Sequence, residues 1–172
     1  MDQDKLTHLD ERGQAHMVDV GEKPITRRRA KAAGVIRMDA ATLNAIQAKG
    51  VPKGDVLAVA RLAAIGGAKH TATTIPLCHP LPLDSVVVEL ELDSDLPGVR
   101  ISVETSVEAR TGVEMEALCG VSAGLLAVYD MCKGMDRSME ISQIWLERKQ
   151  GGRSGVWQRP DDTPGERPND GR

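Results

Sequence analysis

The chain has 172 residues, with 22 Lys and Arg against 25 Asp and Glu, which gives a formal net charge of −3. Hydrophobic residues make up 41% of it and aromatic residues only 2%, and phenylalanine is absent. This length predicts one domain with a core of aliphatic side chains, and the acidic balance with so few aromatic rings argues against a nucleic-acid-binding protein.

The distribution of apolar residues and cysteines predicts the compartment. No stretch reaches the roughly 18 consecutive apolar residues of a membrane span, because Arg61 interrupts the most apolar stretch, residues 56–68. The polar first residues do not resemble a secretory signal. Three cysteines, at positions 78, 119 and 132, are too few for a disulfide framework and fit a reducing compartment. The sequence therefore predicts a cytoplasmic protein with no membrane partner.

The first 50 residues predict short elements. An apolar patch at residues 17–20 predicts one strand. Residues 26–38 fit either an extended strand or a short helix, and we favour the strand. Residues 40–48 predict a helix with Asp39 as its N-cap and Gly50 as its stop.

A long helix is predicted for residues 52–73, before Pro76. Apolar or small residues recur at helical spacing from position 56 onward, and others line a second face. A helix that is apolar on nearly every side is covered from several directions. In a chain this short, we expect another subunit to supply part of that cover.

The second half of the chain completes an α+β pattern. Prolines at 76, 80 and 82 predict a stiff loop over residues 77–83. Residues 85–92 and 99–106 alternate like strands and are joined by a hairpin at 93–98. An apolar helix over residues 113–131 and a strand over 139–149 follow.

The order of these elements predicts the fold. Strand, helix, strand, strand, helix, strand is the split βαβ pattern of ferredoxin-like domains. We therefore predict an α+β fold in which two long helices pack on one face of an antiparallel sheet. Residues 1–157 are predicted to form a single domain, and the Pro- and Asp-rich residues 158–172 a disordered tail.

The sequence contains no P-loop, dinucleotide fingerprint or zinc motif. Each candidate functional residue in the first half of the chain can also be explained by a purely structural role. Lys53 lies where a predicted helix begins, and a helix N-terminus favours an anion, although a solvated lysine before an Asp or Gly cap is the plainer explanation. Cys78 and His79 are adjacent in extended backbone and would point to opposite sides, so no metal site is predicted. They are either structural side chains or, on so rigid a loop, substrate-orienting groups.

The second long helix carries charged residues only near its ends. Glu114 and Glu116 occupy its first turn, where the helix dipole alone accounts for carboxylates. Asp130 and Lys133 stand at positions i and i+3 on one face at the other end. We expect them to form a pair whose pKa values are tuned by partial burial, and a simple helix-end ion pair is the alternative.

Six segments of the sequence form a recognisable set by their order and spacing. They are HMVDV (16–20), KGDVLAVAR (53–61), IPLCHPLPL (75–83), TGVEMEAL (111–118), YDMCK (129–133) and KQGGRSGVW (149–157). Together they resemble the MoaC family, the cyclic pyranopterin monophosphate synthases of molybdenum-cofactor biosynthesis, over about residues 5–157. Two positions depart from the family pattern: His70, where Arg or Lys is expected, and Cys119, where Thr is expected.

The resemblance implies an activity and the residues that perform it. The family converts a 3′,8-cyclised dihydro-GTP into cyclic pyranopterin monophosphate and releases diphosphate, without a cofactor, as a hexamer built from three dimers. By motif match, Asp130, Lys133 and Lys53 are implied to be catalytic. Substrate contacts are implied for Leu77, Cys78, His79, Glu114, Met115 and Glu116, and triphosphate contacts for Arg28, Lys69 and Lys149.

The spacing of these residues predicts a shared site. Glu116 and Asp130 are 14 positions apart, which is about 21 Å along one helix. One nucleotide-sized substrate cannot reach both positions, so a site containing both requires two chains. The alternative function is a non-catalytic oligomeric module that binds nucleotides or anions. A nucleic-acid binder rests only on the basic run at residues 27–31.

Overall fold

The computed structural model describes residues 12–152 and 155–160, which form both strands and helices. In chain order, the elements are β1 (Thr26–Arg37), α1 (Ala40–Gln47), α2 (Val56–Lys69), α3 (Thr71–Thr74), β2 (Ser85–Asp93), β3 (Gly98–Ala109), α4 (Glu114–Cys132), β4 (Glu140–Gln150) and β5 (Val156–Gln158).

The strands form one antiparallel sheet in the order β2-β3-β1-β4-β5. β1 lies at its centre and pairs with β3 along its whole length, from Thr26 opposite Ala109 to Arg37 opposite Gly98. On its other side β1 pairs with β4, and β5 extends that edge. The first four strands have the order of a ferredoxin-like sheet, so the predicted α+β fold is confirmed.

The core lies between the sheet and the pair of long helices. α4 packs against α2, β1 and β3, and α2 packs against β2. Alternate residues of β3, namely Val99, Ile101 and Val103, are at most 2% exposed and meet Leu125 of α4, which is fully buried, in one cluster. Since phenylalanine is absent, aliphatic and small side chains fill this space, as the composition predicted.

The apolar character of α4 follows from its position. Among the described helices, it alone is long and apolar enough to cross a membrane, with 19 residues. Its fully buried residues, such as Ala117, Val121 and Val128, face the sheet or α2 in the core cluster. A central core helix of a folded domain has this composition.

Two predicted elements of the first half differ from the structure. Residues 16–20 form no strand, so the prediction at 17–20 is wrong. The carbonyl of Val18 bonds to the side chain of His79 and not to a neighbouring strand, and Arg110 donates to the carbonyl of Gly21 just after the patch. The helix predicted for residues 52–73 begins only at Val56 and is interrupted at His70.

The helix predicted for residues 40–48 is confirmed, but the residues at its two ends do not have the capping roles that were predicted for them. Asp39 is the N-cap, yet its side chain makes no capping hydrogen bond. Its backbone N–H instead donates to the carboxylate of Asp136. At the other end Lys49, with a φ of 54°, takes the left-handed conformation that was expected of Gly50.

The strand β5 was not predicted. It returns along β4 after a glycine-rich turn, with Lys149 opposite Trp157. Its last residue, Gln158, falls within the predicted tail, and residues 161–172 of that tail lie outside the described part of the chain.

Candidate active site

Lys53, Asp130 and Lys133 meet at the C-terminal end of α4. The Nζ of Lys53 is 3.0 Å from Oδ2 of Asp130, and the Nζ of Lys133 is 2.6 Å from Oδ1. Each carboxylate oxygen therefore accepts a hydrogen bond from a different ammonium group. The structure brings together the three residues for which the family resemblance implied catalysis, and we call them the Lys-Asp-Lys cluster.

A turn before α2 places Lys53 in this cluster. The N–H of Gly54 donates to the carbonyl of Val51, and Gly54 has a φ of 102°, which favours glycine. Asp55 then caps α2 by accepting a hydrogen bond from the backbone N–H of Ala58 at 2.9 Å. The side chain of Lys53 bonds to Asp130 of α4. It therefore neither forms an anion site at the N-terminus of α2 nor extends into solvent without a partner, which were the two alternatives from the sequence.

The amine of Lys53 also neutralises the end of α4. Its Nζ is 2.8 Å from the main-chain carbonyl oxygen of Asp130. Carbonyls in the last turn of a helix lack partners within the helix and carry a partial negative charge. The lysine thus bonds both to the side chain and to the backbone of the same residue.

Pairing, and not burial, sets the protonation of the cluster. Hydrogen bonds from Lys133 and then Lys53 lower the pKa of Asp130, and the hydrogen bond to Asp130 raises the pKa of Lys133. The three side chains are 46%, 57% and 51% exposed in chain order. The expectation that partial burial tunes the Asp130 and Lys133 pair is therefore wrong for the single chain. Two ammonium groups and one carboxylate leave a net charge of +1.

A cavity of about 300 Å³ lies at the opposite end of α4. Its walls come from the proline-rich loop, from the first turn of α4 and from the segment before β1. Six of the predicted substrate-contact residues line it: Leu77, Cys78, His79, Glu114, Met115 and Glu116.

His79 is fixed in the wall of this cavity by the segment before β1. Its Nε2 lies 3.0 Å from the carbonyl oxygen of Val18. Because a carbonyl can only accept, Nε2 carries the proton of this hydrogen bond. The neighbouring Cys78 lines the same cavity, so the two adjacent side chains do not face opposite sides as expected.

Burial favours the neutral forms of two acidic groups here. Glu116 is only 4% exposed, and burial raises its pKa, with a further contribution from Glu114. Burial also raises the pKa of the Cys78 thiol, to which Glu116 and Cys119 contribute. A protonated Glu116 would be a hydrogen-bond donor inside the cavity.

The three predicted triphosphate contacts lie around this end of α4. Lys149 pairs with Glu114 at 3.1 Å. Arg28 donates to the carbonyl oxygen of Arg110 at 3.4 Å, directly before cavity residue Thr111. Lys69 lines an adjoining cavity of about 390 Å³, which also contains His70 and shares Glu116 with the first.

One charged cavity residue was missed from the sequence. Lys23 lines the 300 Å³ cavity with Val18 and Val20. The two valines belong to the HMVDV segment, but Lys23 lies beyond it in a stretch with no periodic pattern. Its backbone N–H donates to the carbonyl of Val20 in a turn, and only this turn brings its side chain to the cavity.

The family model that matches this chain is the MoaC family, over residues 17–152. This match covers more than half of the chain and includes both ends of α4. The chain belongs to the MoaC family. Membership makes it an enzyme of molybdenum-cofactor biosynthesis, and the resemblance that the sequence suggested is confirmed.

The described part of this MoaC-family chain also contains a larger depression, of about 520 Å³, beside β4 and β5. It is lined by Lys31, Trp145 and Glu147 among others. It contains none of the residues implied by the family resemblance. Within residues 12–152 and 155–160, no group of three His, Cys, Asp or Glu side chains could hold a metal ion.

Proposed function

We propose that this MoaC-family chain is a cyclic pyranopterin monophosphate synthase. It would convert 3′,8-cyclised dihydro-GTP into cyclic pyranopterin monophosphate and release diphosphate. The observation that carries the proposal is the placement of Lys53 and Lys133 on the two oxygens of Asp130, at 3.0 and 2.6 Å. Side chains 77 positions apart meet here in the arrangement that proton transfer requires.

The charge of the cluster suits an anionic substrate. Forming the cyclic phosphate requires a sugar hydroxyl to attack the innermost phosphorus while diphosphate leaves. Cations that surround the leaving phosphates stabilise the charge that develops there. Lys53 has the role of offsetting phosphate charge in this proposal, because it contributes to the net positive charge of the cluster.

Lys133 is the proposed proton-transfer residue. Lys133 is an ammonium group in the substrate-free protein, and its hydrogen bond to Asp130 raises its pKa further. It can therefore only donate a proton at first, and contact with the substrate has to weaken its bond to Asp130 before it does so. Opening the guanine-derived ring and closing the pyrazine ring both require such transfers. Asp130, whose pKa is lowered by the two lysines, stays ionised and orients Lys133 or relays its proton.

We further propose that each site is built from two chains. The Lys-Asp-Lys cluster and the cavity lie at opposite ends of α4, and Glu116 and Asp130 are about 21 Å apart along this helix. A substrate that contacts both groups therefore takes them from different protomers. This agrees with the hexamer of three dimers that the family resemblance implies, in a cytoplasmic enzyme.

The decisive experiment supplies the cyclised dihydro-GTP to the purified protein. Diphosphate release is measured together with pterin fluorescence after oxidation, and both signals should rise in parallel. Binding of the nucleotide without either signal would instead identify a non-catalytic nucleotide-binding module.

A mixing experiment tests the two-chain site. Asp130→Asn removes the cluster and Glu116→Ala alters the cavity, and each variant alone should be nearly inactive. After the two are unfolded and refolded together, about a quarter of the sites in a two-fold dimer should be intact. A mixture as inactive as its components, with mixed oligomers verified by mass spectrometry, would place the whole site in one chain.

A further inference from the structure

Asp136 is a buried carboxylate in the loop between α4 and β4, with an exposed fraction of 4%. Its Oδ1 accepts hydrogen bonds from the backbone N–H and the hydroxyl of Ser138, at 2.8 and 2.7 Å. Its Oδ2 accepts from the N–H of Asp39 at 2.9 Å and from the hydroxyl of Thr42 at 3.5 Å. These bonds, above all that from Asp39, lower the pKa of Asp136, so it is charged at neutral pH.

The segments that Asp136 joins are those that carry the two lysines of the cluster. Asp39 begins α1, and the chain runs from this helix through a turn to Lys53. Lys133 ends α4, three residues before Asp136. The N–H of Asp136 also donates to the carbonyl of Cys132 at 3.1 Å, which closes the intervening turn. One buried side chain thus connects the start of α1, which precedes Lys53 in the chain, with the loop that follows Lys133.

The buried thiol of Cys132 responds to both Asp136 and Lys53. Burial raises the pKa of the fully buried Cys132 thiol, the charge of Asp136 raises it further, and the charge of Lys53 lowers it. Cys132 is therefore within electrostatic reach of both groups. The two lysines are about half exposed, and long exposed side chains adopt many rotamers unless their backbone and partners are fixed.

We propose that Asp136 is a positioning residue that holds the segments of Lys53 and Lys133 in the geometry in which both bond to Asp130. The importance of this geometry for turnover rests on the proposed function. Asp136 does not contact the substrate in this scheme. It acts through the backbone of α1 and of the loop after α4.

The first test needs no substrate. Wild type, Asp136→Asn and Asp136→Ala are treated with limiting acetic anhydride, and acetylation of each lysine is measured by peptide mass spectrometry. Labelling of Lys53 and Lys133 should rise severalfold in Asp136→Ala and less in Asp136→Asn, whose amide oxygen can still accept from Asp39. Lys149, which pairs with Glu114 at the other end of α4, should label equally in all proteins.

The matched control is Asp93→Asn. Asp93 accepts hydrogen bonds from the N–H groups of Asp95 and Leu96, both at 3.0 Å, in the hairpin between β2 and β3, and its other oxygen pairs with Arg100. It is a comparably bonded carboxylate outside the segments that carry the cluster, so its loss should leave the labelling of Lys53 and Lys133 unchanged. A folded Asp136→Asn variant, verified by circular dichroism, with wild-type labelling of both lysines would overturn the inference. Ser138→Ala, which removes one hydrogen bond, supplies the same answer if both Asp136 variants unfold.

The second test measures turnover of cyclised dihydro-GTP. Asp136→Ala should lower kcat by about tenfold to a hundredfold and change KM by less than about threefold, because misplacement affects the reacting geometry more than binding. Asp136→Asn should restore part of kcat. An Asp136→Ala variant with the kcat of an active wild type would overturn the inference. An inactive wild type would refute only the proposed function, because the labelling is scored without substrate.

Discussion

Replacing Gly67 with alanine should destabilise the protein, whereas the same change at the neighbouring Gly66 should stabilise it. Both residues lie inside α2. A Cβ atom at Gly67 would lie 2.5 Å from the Cβ of Ala123 and 2.7 Å from the carbonyl oxygen of Cys119, both on α4. A Cβ atom at Gly66 would meet nothing within 4 Å. Comparing the two variants therefore separates the effect of helix–helix packing on stability from the effect of helix propensity.

The magnitude follows from these distances. Carbon atoms pack at about 3.5–4.0 Å, so α2 and α4 would have to separate by roughly 1 Å to accept the methyl group. Overpacking costs about 1–3 kcal/mol, and a backbone oxygen and a Cβ atom cannot rotate away, which favours the upper part of that range. Alanine regains about 0.5–1 kcal/mol over glycine in a helix. We expect Gly67→Ala to lose about 2 kcal/mol and Gly66→Ala to gain about 0.5–1 kcal/mol.

Urea denaturation followed by circular dichroism at one protein concentration measures both free energies of unfolding. A loss of about 2 kcal/mol corresponds to a melting temperature roughly 4–8 °C lower in a domain of this size. Light scattering establishes that wild type and variants have the same oligomeric state. A Gly67→Ala protein as stable as wild type, or a Gly66→Ala protein destabilised to the same extent, would refute the close approach of α2 and α4.

Three further outcomes are expected. Asp130→Asn should lower kcat for diphosphate release by about 10²–10⁴-fold, the usual contribution of positioned proton transfer, and wild-type turnover would contradict its role. Leu125→Ala should cost about 2–5 kcal/mol in urea denaturation, because the fully buried side chain leaves a cavity; a loss below this range would mean that the core collapses around the site. Glu116 has a raised pKa in the folded protein, so the folded state binds its proton more tightly than the unfolded chain does. Wild-type stability should therefore fall, relative to Glu116→Gln, as the pH rises from about 4 through the raised pKa, whereas equal pH slopes in urea midpoints would contradict this.

Most regular elements could be predicted because their signals are local. In β3, Val99, Ile101 and Val103 alternate with polar residues, and this alternation alone identifies both the strand and its buried face. The apolar run of α4 is a signal of the same local kind. Predicted and observed boundaries of these elements accordingly differ by only a few residues.

Elements that depend on distant partners were predicted wrongly or not at all. The patch at 17–20 has the apolar residues of a strand, but the backbone of Val18 bonds to a side chain 61 positions away. The three residues of β5 are too few for any periodic pattern. They form a strand because the preceding turn returns the chain to the edge of β4.

The residues of the candidate site show the same difference between local and long-range contacts. Asp130 and Lys133 share one helix turn, so their spacing alone predicted the pair. Lys53 was singled out as a lysine beside a helix N-terminus, but a shared role with Asp130 and Lys133 was implied only by the family resemblance, since its contact with Asp130 spans 77 positions. The expected burial of the pair was wrong because spacing along a helix does not tell which neighbouring segments cover it.

By itself, the sequence determined the α+β class, the aliphatic core and most helices and strands, because periodicity and capping act between near neighbours. The tertiary structure decided which lysine reaches Asp130, which segments enclose the cavity and which carboxylate joins α1 to the loop after α4. Each of these contacts joins segments that are far apart in the chain. They depend on the order of the strands and on how α2 and α4 pack over the sheet, which no local pattern encodes.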